Sequence, residues 1–373
     1  FGFYGAILPL VLALLIYLGF YATGLVLGGQ AIASLIHVSA QTGAIIFALL
    51  STTLAVFGYD YIHRYSHVAA VLSAVVFAGL FVRILADAKL GEAVGGSFAL
   101  APFVLGISLS ASWQLTFGPY IADYSRYLPA DTPRRATIGW TFAGSVIGAS
   151  LAMTLGALCA ALGGKAFDVQ PVGFISGLGG PFTWLVLIAI ICGKLTGNTL
   201  SSYGGYMSVA TILTSLTGRD TVGIRLRSLL VGLISLVALL VALAATDDFL
   251  GTFTNFLLFL LYFMTPWSAI NLVDYYLVRR ERYDVPALFQ PQGVYGRVNA
   301  RAMTAYVLGV VLSIPFMNST LYVGPVAQWM GGAEVAWVVG IIVAGGLYYA
   351  LSGPARSTSP LDLFAAPDSA SRI

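Results

Sequence analysis

The sequence predicts an all-α protein that crosses a membrane about ten times. Its 373 residues are 58% hydrophobic and 9% charged, with a mean hydropathy of +0.89. Soluble domains carry about 25% charged residues, so this composition excludes an ordinary soluble domain. The apolar residues fall into ten long segments, and the basic residues between those segments alternate between the two sides of the predicted membrane. Together these observations predict a polytopic helical bundle.

A membrane-spanning helix needs roughly 20 mostly apolar residues, and ten apolar segments of the sequence are close to that length or longer. We predict spans at about 5–28, 42–59, 69–87, 99–121, 137–162, 181–212, 227–245, 249–277, 303–321 and 334–352. The sixth and eighth segments are long, which indicates tilted or broken helices. Residues 1–352 therefore form the predicted transmembrane bundle. The Ser/Pro/Ala-rich residues 353–373 are predicted to form a disordered tail.

The distribution of basic residues predicts the topology, because cytoplasmic loops carry an excess of Lys and Arg. Three of the eighteen lie on one side, and Lys194 lies within a span. The other fourteen lie on the opposite side: Arg64, Arg126, Arg134, Arg135, Arg219, Arg225, Arg227, Arg279, Arg280, Arg282, Arg297, Arg301, Arg356 and Arg372. Both ends of the chain are therefore expected in the cytoplasm of a cell bearing the protein in its inner or plasma membrane.

Motifs for covalent chemistry are absent from the sequence. Cys159 and Cys192 lie in apolar runs and read as small buried side chains, not as a disulfide or metal site. The three histidines have no ligand spacing, and neither H-E-x-x-H nor G-x-S-x-G occurs. The run GGKAFD does not fit a phosphate-binding loop. We therefore predict no catalytic residue, no certain metal and no cofactor, and we do not expect an enzyme.

The sixth span carries polar residues at a depth where they are costly. In CGKLTGNTLSSYGG, residues Lys194, Asn198, Ser201 and Gly205 follow the spacing of a single helix face. A lysine near a bilayer centre costs about 2.5–3.5 kcal/mol, so such residues normally face water or the bundle interior. The stripe predicts a binding face, with Asn198 suited to a planar amide-like ligand. The alternatives are hydrogen bonds between helices for Asn198 and Ser201, and snorkelling for Lys194.

The first span has a similar face built from aromatic and small residues. Tyr17, Tyr21, Gly24 and Gly28 share the same spacing in LLIYLGFYATGLVLGG, and Phe20 lies beside them. Aromatic rings above small residues can hold a flat ring while another helix packs closely. The alternative is ordinary aromatic packing with close helix contacts.

The fourth span is predicted to be an interrupted helix. Its centre, SLSASWQLTFGP, contains serines, Ser112 among them, together with Trp113, Gln114, Phe117 and Pro119. Irregular backbone at membrane depth is tolerated where protein or a water-filled cavity satisfies it, and such breaks form binding sites in transporters. A proline kink without a ligand is the alternative.

At the cytoplasmic exit of this span, Asp123 and Arg126 form an i, i+3 charge pair. We interpret this pair as structural, as a latch or topology anchor, rather than as catalytic.

Three motifs resemble the nucleobase–cation symporter-1 family, on its purine–cytosine permease side. They are FGPYIADYSRYLPADTP (117–133), GNTLSSYGGYMS (197–208) and FMTPWSAINLVDYYLVRR (263–280). The resemblance covers most of the chain and implies the amino-acid/sodium-symporter-like fold, an inverted five-plus-five repeat with two added helices. The ten spans look like family helices three to twelve, so ten of an expected twelve would be present.

The resemblance also implies the site residues. The family holds its heterocycle between aromatic residues on its third and sixth helices, and an eighth-helix Asn binds the edge of the base. The expected substrate-binding residues are Tyr17, Phe20, Tyr21, Ser112, Trp113, Gln114, Phe117, Asn198 and Ser201. Eighth-helix hydroxyls help to bind sodium in some members, which places cation coupling at Lys194, Thr196 and Thr199. We hypothesise that the Lys194 ammonium stands in for sodium. Because removal from water favours the neutral form of a lysine, Lys194 could bind and release a proton during transport, as in a proton symporter, or the carrier could be independent of cations. The rivals are direct contact of Lys194 with substrate, or sodium at Thr196 and Thr199.

The implied function is a secondary active symporter that imports a purine or a cytosine-like heterocycle with H⁺ or Na⁺ by alternating access. Another planar solute (allantoin or hydantoin, a thiamin-precursor pyrimidine, a vitamin) or an amino acid remains an alternative. A membrane enzyme or a sensor is a further alternative from a different class. The expected partners are the small-molecule substrate and the lipid bilayer, with no nucleic acid, and the protein is expected to act as a monomer.

Overall fold

The structure, a computed structural model, describes residues 1–57, 59–87, 91, 95–125, 128–129, 131–218, 223–244 and 249–353. Arg126 and the predicted tail from residue 354 lie outside these described residues. The first nine helices are α1 Ile7–Ile36, α2 Ala40–Phe57, α3 Tyr59–Leu85, α4 Leu100–Thr116, α5 Gly118–Ser125, α6 Arg134–Gly163, α7 Lys165–Val169, α8 Pro171–Gly177 and α9 Thr183–Thr217. The remaining five are α10 Ile224–Ala244, α11 Phe249–Leu272, α12 Ala300–Ser313, α13 Pro325–Trp329 and α14 Ala336–Ser352.

The apolar segments of the sequence are helical in the structure. Among the described residues, seven helical stretches are long and apolar enough to cross a membrane, and three shorter apolar helices lie at Ala40–Val56, Ala300–Phe316 and Ala336–Ser352. The predicted all-α fold is confirmed. The ninth segment ends early, because the chain leaves the helix after Phe316 and forms an isolated antiparallel bridge between Asn318 and Val323.

Of two segments in which an interrupted helix was expected, one is broken in the structure and the other is continuous. The fourth segment is broken at Phe117, between α4 and α5, as its polar centre predicts. The sixth segment is instead one continuous helix, α9, of 35 residues. Its glycines and hydroxyl residues do not interrupt it, and the Ser201 and Thr199 hydroxyls donate to the carbonyls of Gly197 and Leu195 one turn earlier, so they find their partners within the helix.

The chain divides into two compact units. The larger unit comprises Leu8–Leu261 and Ser319–Leu321, and the smaller comprises Phe1–Ile7, Tyr262–Asn318 and the described residues from Tyr322 onward. In the larger unit, side chains from α1, α2, α9 and α10 form the main apolar core, around Tyr21, Leu25, Phe47 and Val231. Close approach depends on Gly28 of α1, where an added Cβ would lie 2.5 Å from the Phe47 ring.

The smaller unit contains a buried carboxylate, Glu334. Its side chain is 0% exposed. One oxygen accepts hydrogen bonds from the Tyr262 hydroxyl (2.8 Å) and the Asn318 backbone N–H, and the other accepts from the Ala336 N–H at 3.0 Å. Glu334 thus caps the start of α14 and holds the Asn318 loop against it, satisfying donors that α14 cannot pair internally.

Candidate substrate site

A cavity of about 730 Å³ lies inside the larger unit. Its walls come from α1, α3, the α4–α5 break, α6 to α9 and the start of α11. The volume falls in the range of small-molecule sites, which are concave, mostly apolar and carry a few placed polar groups. The break at Phe117 opens directly onto this cavity, since Trp113, Phe117 and Tyr120 all line it.

Aromatic rings form one wall of the cavity. The Phe20 ring meets Trp113 edge-on, with centroids 5.4 Å apart and planes at 88°, and meets Phe253 at 6.2 Å. Phe117 and Tyr120 lie nearly parallel, with centroids 5.9 Å apart and planes at 22°. Such rings present faces and edges on which a flat heterocycle can stack.

One face of α9 supplies polar groups to the cavity. Lys194, Asn198 and Ser201 all line the cavity, as their helical spacing predicts. Ser201 lies 2.9 Å from the Tyr120 hydroxyl, which links α9 to α5. Asn198 is 2% exposed and donates from Nδ2 to the Tyr21 carbonyl at 3.2 Å, so part of its amide is fixed by α1.

Gly24 of α1 makes room for that amide. A Cβ at residue 24 would lie 1.7 Å from Asn198 Oδ1, whereas ordinary contacts begin at 3.4 Å. The absent side chain of Gly24 therefore allows Asn198 to reach the α1 backbone and sets its orientation at the edge of the cavity.

Lys194 is the one charged residue among the described residues that line the cavity. It lies about 16 Å along α9 from Thr183, given a rise of 1.5 Å per residue. No hydrogen bond or ion pair joins its ammonium to any described residue. Its charge is therefore directed at the contents of the cavity rather than at a neighbouring carboxylate.

Two of the predicted aromatic residues face elsewhere. Tyr17 packs on Gly204 of α9, where an added Cβ would lie 2.5 Å from its ring, and donates its hydroxyl to Asp123 at 2.6 Å. The Tyr21 hydroxyl lies within hydrogen-bonding distance of hydroxyls from α2 and α10, at 3.0 Å from Ser51 and 2.9 Å from Ser235. Neither ring lines the cavity.

The predicted polar residues beside Trp113 also have other partners. Ser112 is buried and donates to the Leu257 carbonyl of α11 at 2.5 Å. Gln114 accepts a hydrogen bond from Ser145 of α6 at 2.6 Å. These two residues join α4 to its neighbours and do not line the cavity.

The predicted sodium ligands lie away from the cavity wall. Thr196 donates to the Cys192 carbonyl at 3.2 Å, and Thr199, which is buried, donates to Leu195 at 2.7 Å. Both hydroxyls bond to their own helix, and neither lines the cavity. Within the described chain, no group of three or more His, Cys, Asp or Glu side chains is placed to hold a metal ion.

Several lining residues were not predicted from the sequence. Tyr120 carries a hydroxyl into the cavity beside Ser201, and Phe253 packs against Phe20. Tyr120 follows Phe117 by three residues, which places it on the same face once the helix resumes after the break. That spacing was the available signal for Tyr120, whereas nothing local distinguishes Phe253 from the other aromatic residues of α11.

Comparison with known proteins places this architecture in a family. A family model described as permease for cytosine/purines, uracil, thiamine and allantoin matches residues 1–340. A Bacillus subtilis (strain 168) protein, YxlA, whose name places it among purine-cytosine permeases, is 37% identical over 355 residues, covering 95% of this chain and 77% of that protein. The purine-cytosine permease fcyB of Emericella nidulans is 26% identical over 384 residues, covering 91% and 69% respectively.

Two solved structures of Mhp1 share the fold. The closed conformation, described as a nucleobase-cation-symport-1 family transporter with bromovinylhydantoin bound, has a TM-score of 0.69 at 19% identity and covers 93% of this chain and 75% of that chain. The inward-facing conformation has a TM-score of 0.68 at 21% identity and covers 94% and 74%. The likeness confirms the predicted transporter fold.

The family model matches most of the chain. The chain also has apolar helices long enough to cross a membrane, and a cavity lies among them. The chain belongs to the nucleobase–cation symporter-1 family and is a multi-pass membrane transporter, not an enzyme.

Proposed function

We propose that this protein is a secondary active symporter that imports a nucleobase, a purine or a cytosine-like heterocycle, together with H⁺ or Na⁺. The observation that carries the proposal is the cavity itself, which is lined by aromatic rings together with a planar amide, a hydroxyl and an ammonium. The purine-cytosine names of two relatives support the same substrate class. The protein acts as a monomer with both ends of this chain in the cytoplasm.

The ring of the base would stack against Trp113 and Phe20 or against Phe117. Flat aromatic solutes gain both apolar burial and ring contacts at such a wall. The hydrogen-bonding edge of the base would then meet Asn198 and Ser201, whose donors and acceptors suit the amide-like groups of a nucleobase. Tyr120 adds a second hydroxyl beside Ser201.

Alternating access would use the break at Phe117. The short helix α5 is tied to α1 by the hydrogen bond from Tyr17 to Asp123 and by the edge contact of Tyr17 with Tyr120, whose centroids are 4.8 Å apart. We define this Tyr17–Asp123 pair as the α1–α5 latch. Because α5 follows a break, it can move without bending α4, and release of the latch would open the cavity toward the side on which Asp123 lies.

Coupling would depend on Lys194, with sodium at Thr196 and Thr199 as the rival. An ammonium facing the cavity can supply the positive charge that a bound sodium ion supplies elsewhere, and it can bind and release a proton. The turn-to-turn hydrogen bonds of Thr196 and Thr199 and their position off the cavity wall favour Lys194 as the coupling residue.

Other planar solutes are the second candidate, because the family description includes thiamine and allantoin and one Mhp1 structure holds a hydantoin. An amino acid fits less well. Its ammonium would need a carboxylate, and Lys194 is the one charged group among the described lining residues.

Counterflow in proteoliposomes tests the proposal without assuming a coupling ion. Vesicles loaded with unlabelled hypoxanthine or cytosine should accumulate the labelled base from outside. Trp113→Ala should abolish or strongly reduce this exchange, whereas Trp140→Ala, at a side chain 80% exposed outside the cavity, should not. Accumulation of allantoin but of neither base would instead support the second candidate.

A further inference from the structure

The unpartnered ammonium of Lys194 bears on the kind of substrate that the cavity accepts. Its neighbours on the same face, Asn198 and Ser201, have protein partners at 3.2 Å and 2.9 Å. Lys194 has none among the described residues, although it lines the same cavity. An ammonium that faces a mostly apolar cavity without a protein partner is costly, so an anionic group on the occupant of the cavity would stabilise it.

The other described residues of the cavity wall supply no opposite charge to Lys194. The other described lining residues are apolar, aromatic, or neutral polar groups such as Thr23, Ser73 and Thr116. Asp123, the acid nearest in sequence to the lining residue Tyr120, accepts the Tyr17 hydroxyl and does not line the cavity. In an apolar surrounding the attraction between Lys194 and an opposite charge is stronger than it would be in water.

We propose that Lys194 selects substrates with an anionic edge, so that the preferred ligand is an acidic oxo-heterocycle, such as a dioxo- or trioxopurine monoanion, rather than a neutral base. This inference rests on the proposed function and narrows its substrate class. The ring stacks on the aromatic wall, while the deprotonated nitrogen and adjacent carbonyl oxygen face the ammonium. Charge-assisted hydrogen bonds of this kind are about twice as strong as neutral ones.

The proposal also gives coupling a physical basis. A substrate monoanion binds beside a protonated Lys194, so that the occupied cavity holds a neutral pair. Release of the anion and of the Lys194 proton on the inner side then delivers one proton with each anion. Binding of the anion and protonation of Lys194 then favour one another, as linkage requires. A neutral base offers the ammonium a carbonyl oxygen or ring nitrogen but no opposite charge, so it would gain less from Lys194 and bind mainly through the aromatic wall, Asn198 and Ser201.

Equilibrium binding of two labelled purines to the purified protein at neutral pH tests the inference. Urate is an anion under these conditions, and hypoxanthine is neutral. The wild type should bind urate more tightly than hypoxanthine. Lys194→Met should weaken urate binding roughly tenfold or more, the loss expected for a charge-assisted hydrogen bond, and change hypoxanthine binding less than about threefold. Lys165→Met, at an exposed lysine outside the cavity, should change neither.

Different failures have different meanings. Tight hypoxanthine binding with no urate binding, or an equal loss of both in Lys194→Met, would overturn the inference and leave the proposed function intact. Failure of the wild type to bind or exchange any purine or pyrimidine base would overturn both. If Lys194→Met does not fold, Lys194→Arg, which keeps the charge, should retain the urate preference, and Lys194→Gln should lose it.

Discussion

Substitution of Gly24 by alanine should disable the site without unfolding the protein. The new Cβ would lie 1.7 Å from Asn198 Oδ1, about half of an ordinary contact distance, and 2.6 Å from Asn198 Cγ. The Asn198 side chain would have to rotate away, which breaks its hydrogen bond to the Tyr21 carbonyl and removes its amide from the edge of the cavity.

The magnitude follows from these contacts. Overpacking costs about 1–3 kcal/mol, and the lost hydrogen bond costs about 1 kcal/mol. Replacing glycine by alanine inside a helix returns about 1 kcal/mol, so the melting temperature should fall only modestly. Loss of one hydrogen bond between Asn198 and the substrate should weaken binding roughly tenfold. Gly232→Ala, in α10 with open space around the added Cβ, is the matched control.

A double-mutant cycle makes this prediction specific to the Gly24–Asn198 contact. In Asn198→Ala the amide is gone, so Gly24→Ala should then cost little further affinity for labelled hypoxanthine. The two substitutions should therefore be strongly non-additive. Unchanged affinity in Gly24→Ala, or an equal loss with and without the Asn198 amide, would refute the assigned role of Asn198.

Three further predictions concern other contacts. Trp113→Phe should keep most hypoxanthine binding, since a ring still meets Phe20, whereas Trp113→Ala should lose roughly tenfold or more in a filter-binding assay. Tyr17→Phe removes the hydrogen bond of the α1–α5 latch but keeps the ring. A cysteine introduced on α5 should then react faster with a membrane-permeant thiol reagent. An unchanged reaction rate would contradict the role of the latch. Glu334→Ala removes the carboxylate that accepts hydrogen bonds from the Tyr262 hydroxyl and the Ala336 N–H, at about 1–3 kcal/mol each, and should lower the melting temperature more than Glu334→Gln.

Cavity-lining residues and the helix break could be predicted from the sequence where polar residues interrupt an otherwise apolar span. The stripe of Lys194, Asn198 and Ser201 stands out against an apolar span, and the structure places all three on the cavity wall. The break at Phe117 was predictable for a similar reason, because glycine and proline follow a run of hydroxyl side chains.

The first helix shows what periodicity alone leaves open. Spacing places Tyr17, Tyr21 and Gly24 along one side of α1, but it does not say which neighbour that side meets. In the structure Phe20 and Gly24 face the cavity, while Tyr21 turns toward hydroxyls of α2 and α10. Those partners lie 30 and 214 residues away in the chain, so this placement depends on tertiary packing.

Whether Lys194 couples transport to protons can be measured by uptake of a labelled purine into proteoliposomes under an imposed proton gradient, with and without sodium. We expect accumulation driven by the proton gradient alone, lost in Lys194→Met and retained in Lys165→Met. Accumulation that requires sodium and survives Lys194→Met would show that Lys194 is not the coupling residue, and would return coupling to Thr196 and Thr199.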